Sequence, residues 1–159
     1  MRKLIFMGIV LTIITICLVF LVPWHITKSF SAFEVNLGSR SVSASRDVNI
    51  TGKYYINIFT PDAFEGKIAI SGYPVTDLNT HVFIERDGYP LMYKLDNGVS
   101  YSFGSFSAMR FLRCSYISIY DHPDSSRPDR ASFDERTGTV LFLNFNTLEN
   151  AFSVWDGRK

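Results

Sequence analysis

The chain has 159 residues, which leaves about 130 beyond its N-terminal apolar run, room for one domain with a real core and not for two. Its formal charge is +1, and without Arg2 and Lys3 the count is 14 basic against 15 acidic residues, so the electrostatic footprint of a nucleic-acid binder is missing. Of the two cysteines, Cys17 lies inside the apolar run, which leaves Cys114 alone in the domain. An intramolecular disulfide there is excluded, and packing has to hold the fold.

The first predicted element is a helix over Leu4–Val22 (LIFMGIVLTIITICLVFLV). These 19 residues carry no charge, and only Gly8, Thr12 and Thr15 among them are not strongly apolar. At about 1.5 Å per residue such a helix is roughly 28 Å long, one hydrocarbon core. Arg2 and Lys3 precede it and are expected to stay in the cytoplasm, which places everything after Pro23 outside. The run is longer than the apolar part of a secretory signal. The nearest small-x-small site, Ser29-Phe30-Ser31, lies well beyond it, and Trp24 and Lys28 suit a membrane boundary. The expectation is an uncleaved anchor over residues 1–26 that binds the lipid bilayer through Leu4–Val22, with a secreted, cleaved form as the alternative. Residues 27–33 read as a short linker and 34–159 as an extracytoplasmic β-domain.

Beyond the linker the hydrophobic period is two. Phe33–Leu37 and Ser41–Ile50 carry weak strand patterns. Lys53–Phe59 alternates with Tyr54, Ile56 and Ile58 on one face, and Thr60–Glu65 reads as a turn with Pro61 and Asp62 in suitable places. Gly66–Tyr73 and His81–Arg86 follow as strands, the second ended by Asp87-Gly88. Leu91–Leu95 and Val99–Phe103 flank Asp96-Asn97-Gly98, a strong hairpin signal because Asn and Gly tolerate positive φ. Gly104–Phe111 is compatible with a helical turn. Leu112–Tyr120 is a further strand, and Thr139–Phe145 (TVLFLNF) is apolar enough to be buried on both faces. At the C-terminus Leu148, Ala151, Phe152 and Trp155 share one helical face, with Thr147 as N-cap and Gly157 as the stop. That helix is expected to close one end of the domain. Seven to nine short strands in this length specify a mainly β fold, an antiparallel β-sandwich or small barrel; periodicity alone does not separate the two.

Asp121–Gly138 (DHPDSSRPDRASFDERTG) stands apart as a long polar loop between two strong strands. Loops of this length in compact domains are functional or simply solvated. Asp121, His122 and Asp124 are the candidate catalytic residues, with His122 as a general base oriented by Asp124. The segment names no nucleophile to accompany them. A calcium site is not expected, because the acids are scattered and Arg127, Arg130 and Arg136 compete for them. His81 and Glu85 share a strand face but lie roughly 13 Å apart along it, too far to ligate one metal. Cys114 reads as structural, since its neighbour Arg113 points to the opposite face of the strand. The chain contains no G-x-S-x-G, H-E-x-x-H, phosphate-binding Gly loop or C-x-x-C motif. No cofactor is expected.

Candidate ligand-binding residues are Tyr73, Tyr89, Tyr93 and Tyr101, which could form an aromatic platform for a cell-wall glycan, together with Arg127 and Arg130. Core packing is the competing use of these tyrosines. Tyr93 shares a strand face with Leu91 and Leu95, which favours core.

The stretch GKYYINIFTPDAFEGKIAISGY, the strands after it, Thr137-Gly138-Thr139-Val140 and the final Thr147–Trp155 element resemble small uncharacterised membrane-anchored proteins of Bacillus-type bacteria. The resemblance covers Gly52–Trp155. It implies one membrane-spanning segment and an extracytoplasmic all-β domain, and it implies no activity. The sequence thus leads to a membrane-anchored binding or interaction module for a surface protein or wall glycan. The alternatives are an envelope-acting enzyme or enzyme accessory using the Asp121–Asp124 loop, and a small subunit docked to a membrane complex through Thr12 and Thr15 of its helix.

Overall fold

In the computed structural model the described residues are 2–57, 59–84, 88–96, 98–109, 112–120 and 132–157. Helix α1 (Arg2–Leu21) is followed by strands β1 (Trp24–Asn36), β2 (Ser41–Tyr55), β3 (Asp62–Ile70), β4 (Asn79–Ile84), β5 (Tyr89–Lys94), β6 (Ser100–Met109), β7 (Arg113–Ile119) and β8 (Thr139–Leu143), and by helix α2 (Leu148–Asp156). The eight strands form one antiparallel sheet in the order β4-β3-β2-β1-β8-β7-β6-β5. The sheet curls until its edge strands β4 and β5 meet, so the domain is a nearly closed barrel. At that seam the Thr80 hydroxyl donates to the Met92 carbonyl over 2.8 Å, a side-chain bond where a ladder would otherwise run.

The long β1–β2 hairpin is the spine of the barrel. Its pairing runs from Trp24 opposite Tyr54 to Asn36 opposite Ser41. On the other side of β1, strand β8 pairs only with Ala32–Asn36, whereas β3 pairs with Val48–Tyr55 of β2. This stagger tilts the strands and allows a small barrel to close. It also defines two ends. The near end holds Trp24, the β2–β3 turn, the last residue of β4 and the first of β5. The far end holds the β1–β2 turn, the 3-10 turn Pro74–Asp77 and the β5–β6 hairpin.

Alternation along each strand divides the side chains between two cores. Phe30, Ala32, Val48, Ile50, Phe64, Ile68, Val82, Leu91, Tyr93, Phe106, Ile117, Leu141 and Leu143 fill the barrel interior. Val35, Tyr116, Val140 and Phe142 point outward and are covered by Ala151 and Trp155 of α2. Thr139–Leu143 is buried on both faces for this reason, with Leu141 and Leu143 turned inward and Val140 and Phe142 under the helix. Thr147 is the N-cap of α2, its hydroxyl accepting from the Asn150 amide over 3.3 Å. The helix lies across the outside of β1, β8 and β7 and does not close an end, because that is where outward apolar side chains need cover.

Other expectations are corrected by the ladder. Residues 27–33, read as a linker, belong to β1, where Ile26 and Phe30 pack against the interior and Lys28 interrupts the inward row. β3 begins at Asp62, inside the expected turn, because Ala63 and Phe64 pair with Tyr55 and Tyr54. The helical turn at Gly104–Phe111 is instead strand through Met109, with a register shift between Ser107 and Met109 and Phe103, Phe106 and Ala108 buried. In the β5–β6 hairpin Gly98 has φ 81°, and Leu95 and Gly98 close the turn by backbone bonds of 2.8–2.9 Å.

The backbone is helical over Arg2–Leu21, which takes in all of the expected apolar segment but its last residue, Val22. Counted over the described residues, no helix is long and apolar enough to cross a membrane. Phe6, Met7, Ile9, Val10, Leu11 and Ile14 of α1 are 38–69% exposed and join neither core.

Candidate functional site

Among the described residues, the far mouth of the barrel and the outer face of its seam each gather polar side chains. At the far mouth, inward parity on β1 and β2 aims Glu34 and Arg46 at the interior, and the turn after β3 brings Tyr73 to them. Arg46 Nε donates to Glu34 Oε2 over 2.6 Å, the Tyr73 hydroxyl donates to the same oxygen over 3.1 Å, and the Ser43 hydroxyl lies 3.1 Å from Oε1. The guanidinium carbon of Arg46 stands 5.3 Å from the centroid of the Tyr73 ring, which meets Phe103 edge-on at 5.2 Å. Burial by itself would raise the Glu34 pKa. The hydrogen bonds from Arg46, Tyr73 and Ser43, together with the Arg46 charge, outweigh it and hold the carboxyl below the ordinary glutamate range. Burial, with Glu34's negative charge beside it, pushes the Tyr73 hydroxyl up to about 12. Both carboxylate oxygens are satisfied. The cluster therefore works as a polar plug and leaves Glu34 no lone role as an acid or base.

That plug has a testable sign. Because the folded-state pKa of Glu34 is depressed, its contribution to stability is present above the ordinary glutamate value of about 4.3 and is lost as pH falls through the lowered one. Glu34→Gln is expected to flatten the fall in urea midpoint between about pH 5 and 3. Arg46→Met leaves the buried carboxylate unpaired. With 28% of the Arg46 side chain exposed, the cost at neutral pH is about 2–3 kcal/mol, below the range for a fully buried pair.

The second place is the outer face of the seam. A groove of about 350 Å3 runs between β4 and β5, floored by Thr80 and Tyr93 and flanked by His81, Met92 and Lys94. A neighbouring groove of about 310 Å3 continues it across β3 toward Gly52 and His25, and the two share Glu65 and Asn79. Met92 is 45% exposed here. His81 stands opposite Glu65 in register and meets Phe83 edge-on at 5.3 Å. The surface is mixed, with a cation, a carboxylate, an imidazole and a thioether over two strand edges that no ladder joins among the described residues.

Of the sequence candidates, Asp121, His122, Asp124, Arg127 and Arg130 lie outside the described residues, as does Glu85. Among the described residues, no three His, Cys, Asp or Glu side chains come together as a metal site. The four tyrosines do not make a platform. Tyr93 is fully buried, its hydroxyl donating to the Ile68 carbonyl over 2.9 Å, and burial raises its pKa. Tyr73 is tied to Glu34. Tyr89 packs edge-on against Phe83 at 5.0 Å, and Tyr101 packs against the interior core. Sequence reasoning missed Glu34 and Arg46, although each sits on the inward row of its strand. The signal was a charge at a core-facing position, legible only once β1 and β2 are in register.

Comparison with known proteins finds no matching family model, no similar curated protein and no similar solved structure.

Proposed function

We propose that this chain is a membrane-tethered interaction module: α1 lies in the bilayer, the barrel stands outside, and the barrel binds a protein partner along the β4–β5 seam. The observation that carries the reading is α1, which after Arg2 and Lys3 is an uncharged apolar run and whose described apolar side chains are exposed and join neither core. In water such a helix has no stable home, whereas lipid provides one. Arg2 and Lys3 favour an inside N-terminus.

The arrangement of β1 argues against the secreted alternative. Cleavage after Ser31 would cut the strand in the middle and remove Ile26 and Phe30 from the interior. The Thr12 and Thr15 hydroxyls each donate to the carbonyl four residues earlier over 2.9 Å, so neither needs a partner helix for its hydrogen bond. A protein partner is favoured over a glycan because the tyrosines that would stack on sugar rings serve the core. Binding is placed ahead of catalysis because the sequence carries no recognised catalytic motif and names no nucleophile to accompany His122.

The test is protease shaving of whole cells producing the C-terminally tagged chain, followed by photo-crosslinking from position 92. The expected product is full-length, membrane-bound and shaveable, and a probe replacing Met92 captures a discrete protein that a probe replacing Val42 at the far end does not. A shorter product in the medium defeats the tether. An intact tether with no adduct specific to position 92 defeats the seam.

A further inference from the structure

The β2–β3 turn holds a phenylalanine almost entirely in solvent. Phe59 is 96% exposed. The turn that carries it is firmly based. Asp62, only 3% exposed, accepts from the Tyr54 hydroxyl over 2.8 Å and from the Asn57 amide over 3.0 Å, and the Asn57 side-chain amide donates to the Pro61 carbonyl over 2.9 Å. The displayed ring thus sits on a hydrogen-bonded base. From Ile56 to Pro61 the turn contains no charge.

Its place in the fold gives the exposure a meaning. Trp24, the first residue of β1, pairs with Tyr54, and Tyr55 pairs with Ala63, so the turn emerges beside the point where the chain enters the barrel. Only Val22 and Pro23 separate α1 from β1. Three residues reach at most about 10 Å, which bounds the distance from the end of α1 to Trp24 and, equally, from Asp62 to Phe59. Val22 and Trp24 are themselves 52% and 49% exposed. Val22, Trp24 and Phe59 therefore all lie at one end of the barrel, the end at which α1 joins β1.

We propose that the β2–β3 turn is a second membrane contact, with the Phe59 ring inserted at the boundary between headgroups and acyl chains of the bilayer in which the reading above places α1. The occupant is lipid because the exposed ring leaves the barrel at the same end as the apolar helix α1. Amphipathic and aromatic groups settle at this depth, about 5–10 Å into the interface. Two contacts on one end fix the barrel's orientation on the membrane, where a helix alone would let it turn. The proposal rests on α1 lying in the bilayer, and the test separates the two claims.

The experiment incorporates a photoactivatable phenylalanine analogue at position 59 of the full chain. The chain is reconstituted in vesicles of phosphatidylethanolamine and phosphatidylglycerol, and lipid adducts are read by mass spectrometry. The same analogue at Val42, exposed at the far end, is the control. Carbonate extraction of the same vesicles reports on α1 independently. The expected result is retention after carbonate with adduct yield at 59 exceeding that at 42 by about tenfold or more, the population ratio that burial of a phenylalanine ring supports. Retention with equal or absent lipid adducts at both positions overturns the second contact and leaves the tether standing. An adduct at 59 with protein in place of lipid also overturns it. Release by carbonate removes the tether and the inference with it.

Discussion

Trp155→Ala is expected to lower the unfolding free energy by about 3–5 kcal/mol, the cost of truncating a large buried aromatic. The indole is 3% exposed and meets Tyr116 at 5.3 Å, Phe133 at 6.0 Å and Phe142 at 6.1 Å between ring centroids, all near edge-on. It is the main peg by which α2 covers the outward faces of β1, β8 and β7. Without it a helix of nine residues has too little left to hold it, since Leu148 and Phe152 are only half-buried and helices this short are marginal alone. The ion pair of Arg40 with Asp156, at 3.2 Å and well exposed, contributes little. Urea unfolding of the detergent-solubilised chain, followed by circular dichroism, checks the effect. Trp155→Phe, which keeps an aromatic in the slot, should recover more than half of it. A wild-type midpoint for Trp155→Ala would mean that α2 is not held by this contact.

The second large effect concerns two glycines that face each other across β2 and β3. Gly52 pairs with Gly66, and the Phe64 ring lies over both. A Cβ added at Gly52 would fall 2.9 Å from Phe64 Cζ and would collide with the Glu65 carbonyl oxygen. At Gly66 the added atom would sit 2.6 Å from the Gly52 Cα and collide with the Thr51 carbonyl oxygen. Ring atoms can shift, but a ladder carbonyl moves only by parting the strands. Gly52→Ala and Gly66→Ala are each expected to cost about 3 kcal/mol, the upper end of the overpacking range. Because both open the same gap, the double variant should cost clearly less than the two single losses added. Full additivity, measured by the same unfolding experiment, would show that the strands are not pressed together here. Phe64→Ala in the Gly52→Ala background should partly relieve the crowding, although it opens a cavity of its own.

Where one face of an element decided its structure, the sequence could be read. The spacing of Leu148, Ala151, Phe152 and Trp155 gave α2 with its cap, and the unbroken TVLFLNF run gave a strand covered on both sides. Asn97-Gly98 marked a hairpin because its chemistry is local. The first half of β1, up to Ala32, escaped detection because Lys28 breaks the inward row of Ile26, Phe30 and Ala32, and because no turn residue separates it from the apolar helix. Gly104 opened the segment read as a helical turn, yet it is the residue a close approach to Ser118 requires. The far-mouth plug was out of reach for a different reason. Glu34, Arg46 and Tyr73 are brought together by the register of three strands, which no local pattern encodes. The four tyrosines show the opposite failure: an aromatic's identity is plain in the sequence, but whether its ring faces sugar or core is settled by which side of the sheet curls inward.

The two-residue junction between α1 and β1 also has a mechanical consequence. Tension between the helix and anything gripping the far end of the barrel would pass along β1, parallel to its axis. The hydrogen bonds joining β1 to β2 would then be strained together, as rivets are in a lap joint, and would not peel one after another. Pulled from this end, β1 would be loaded against β2 in shear.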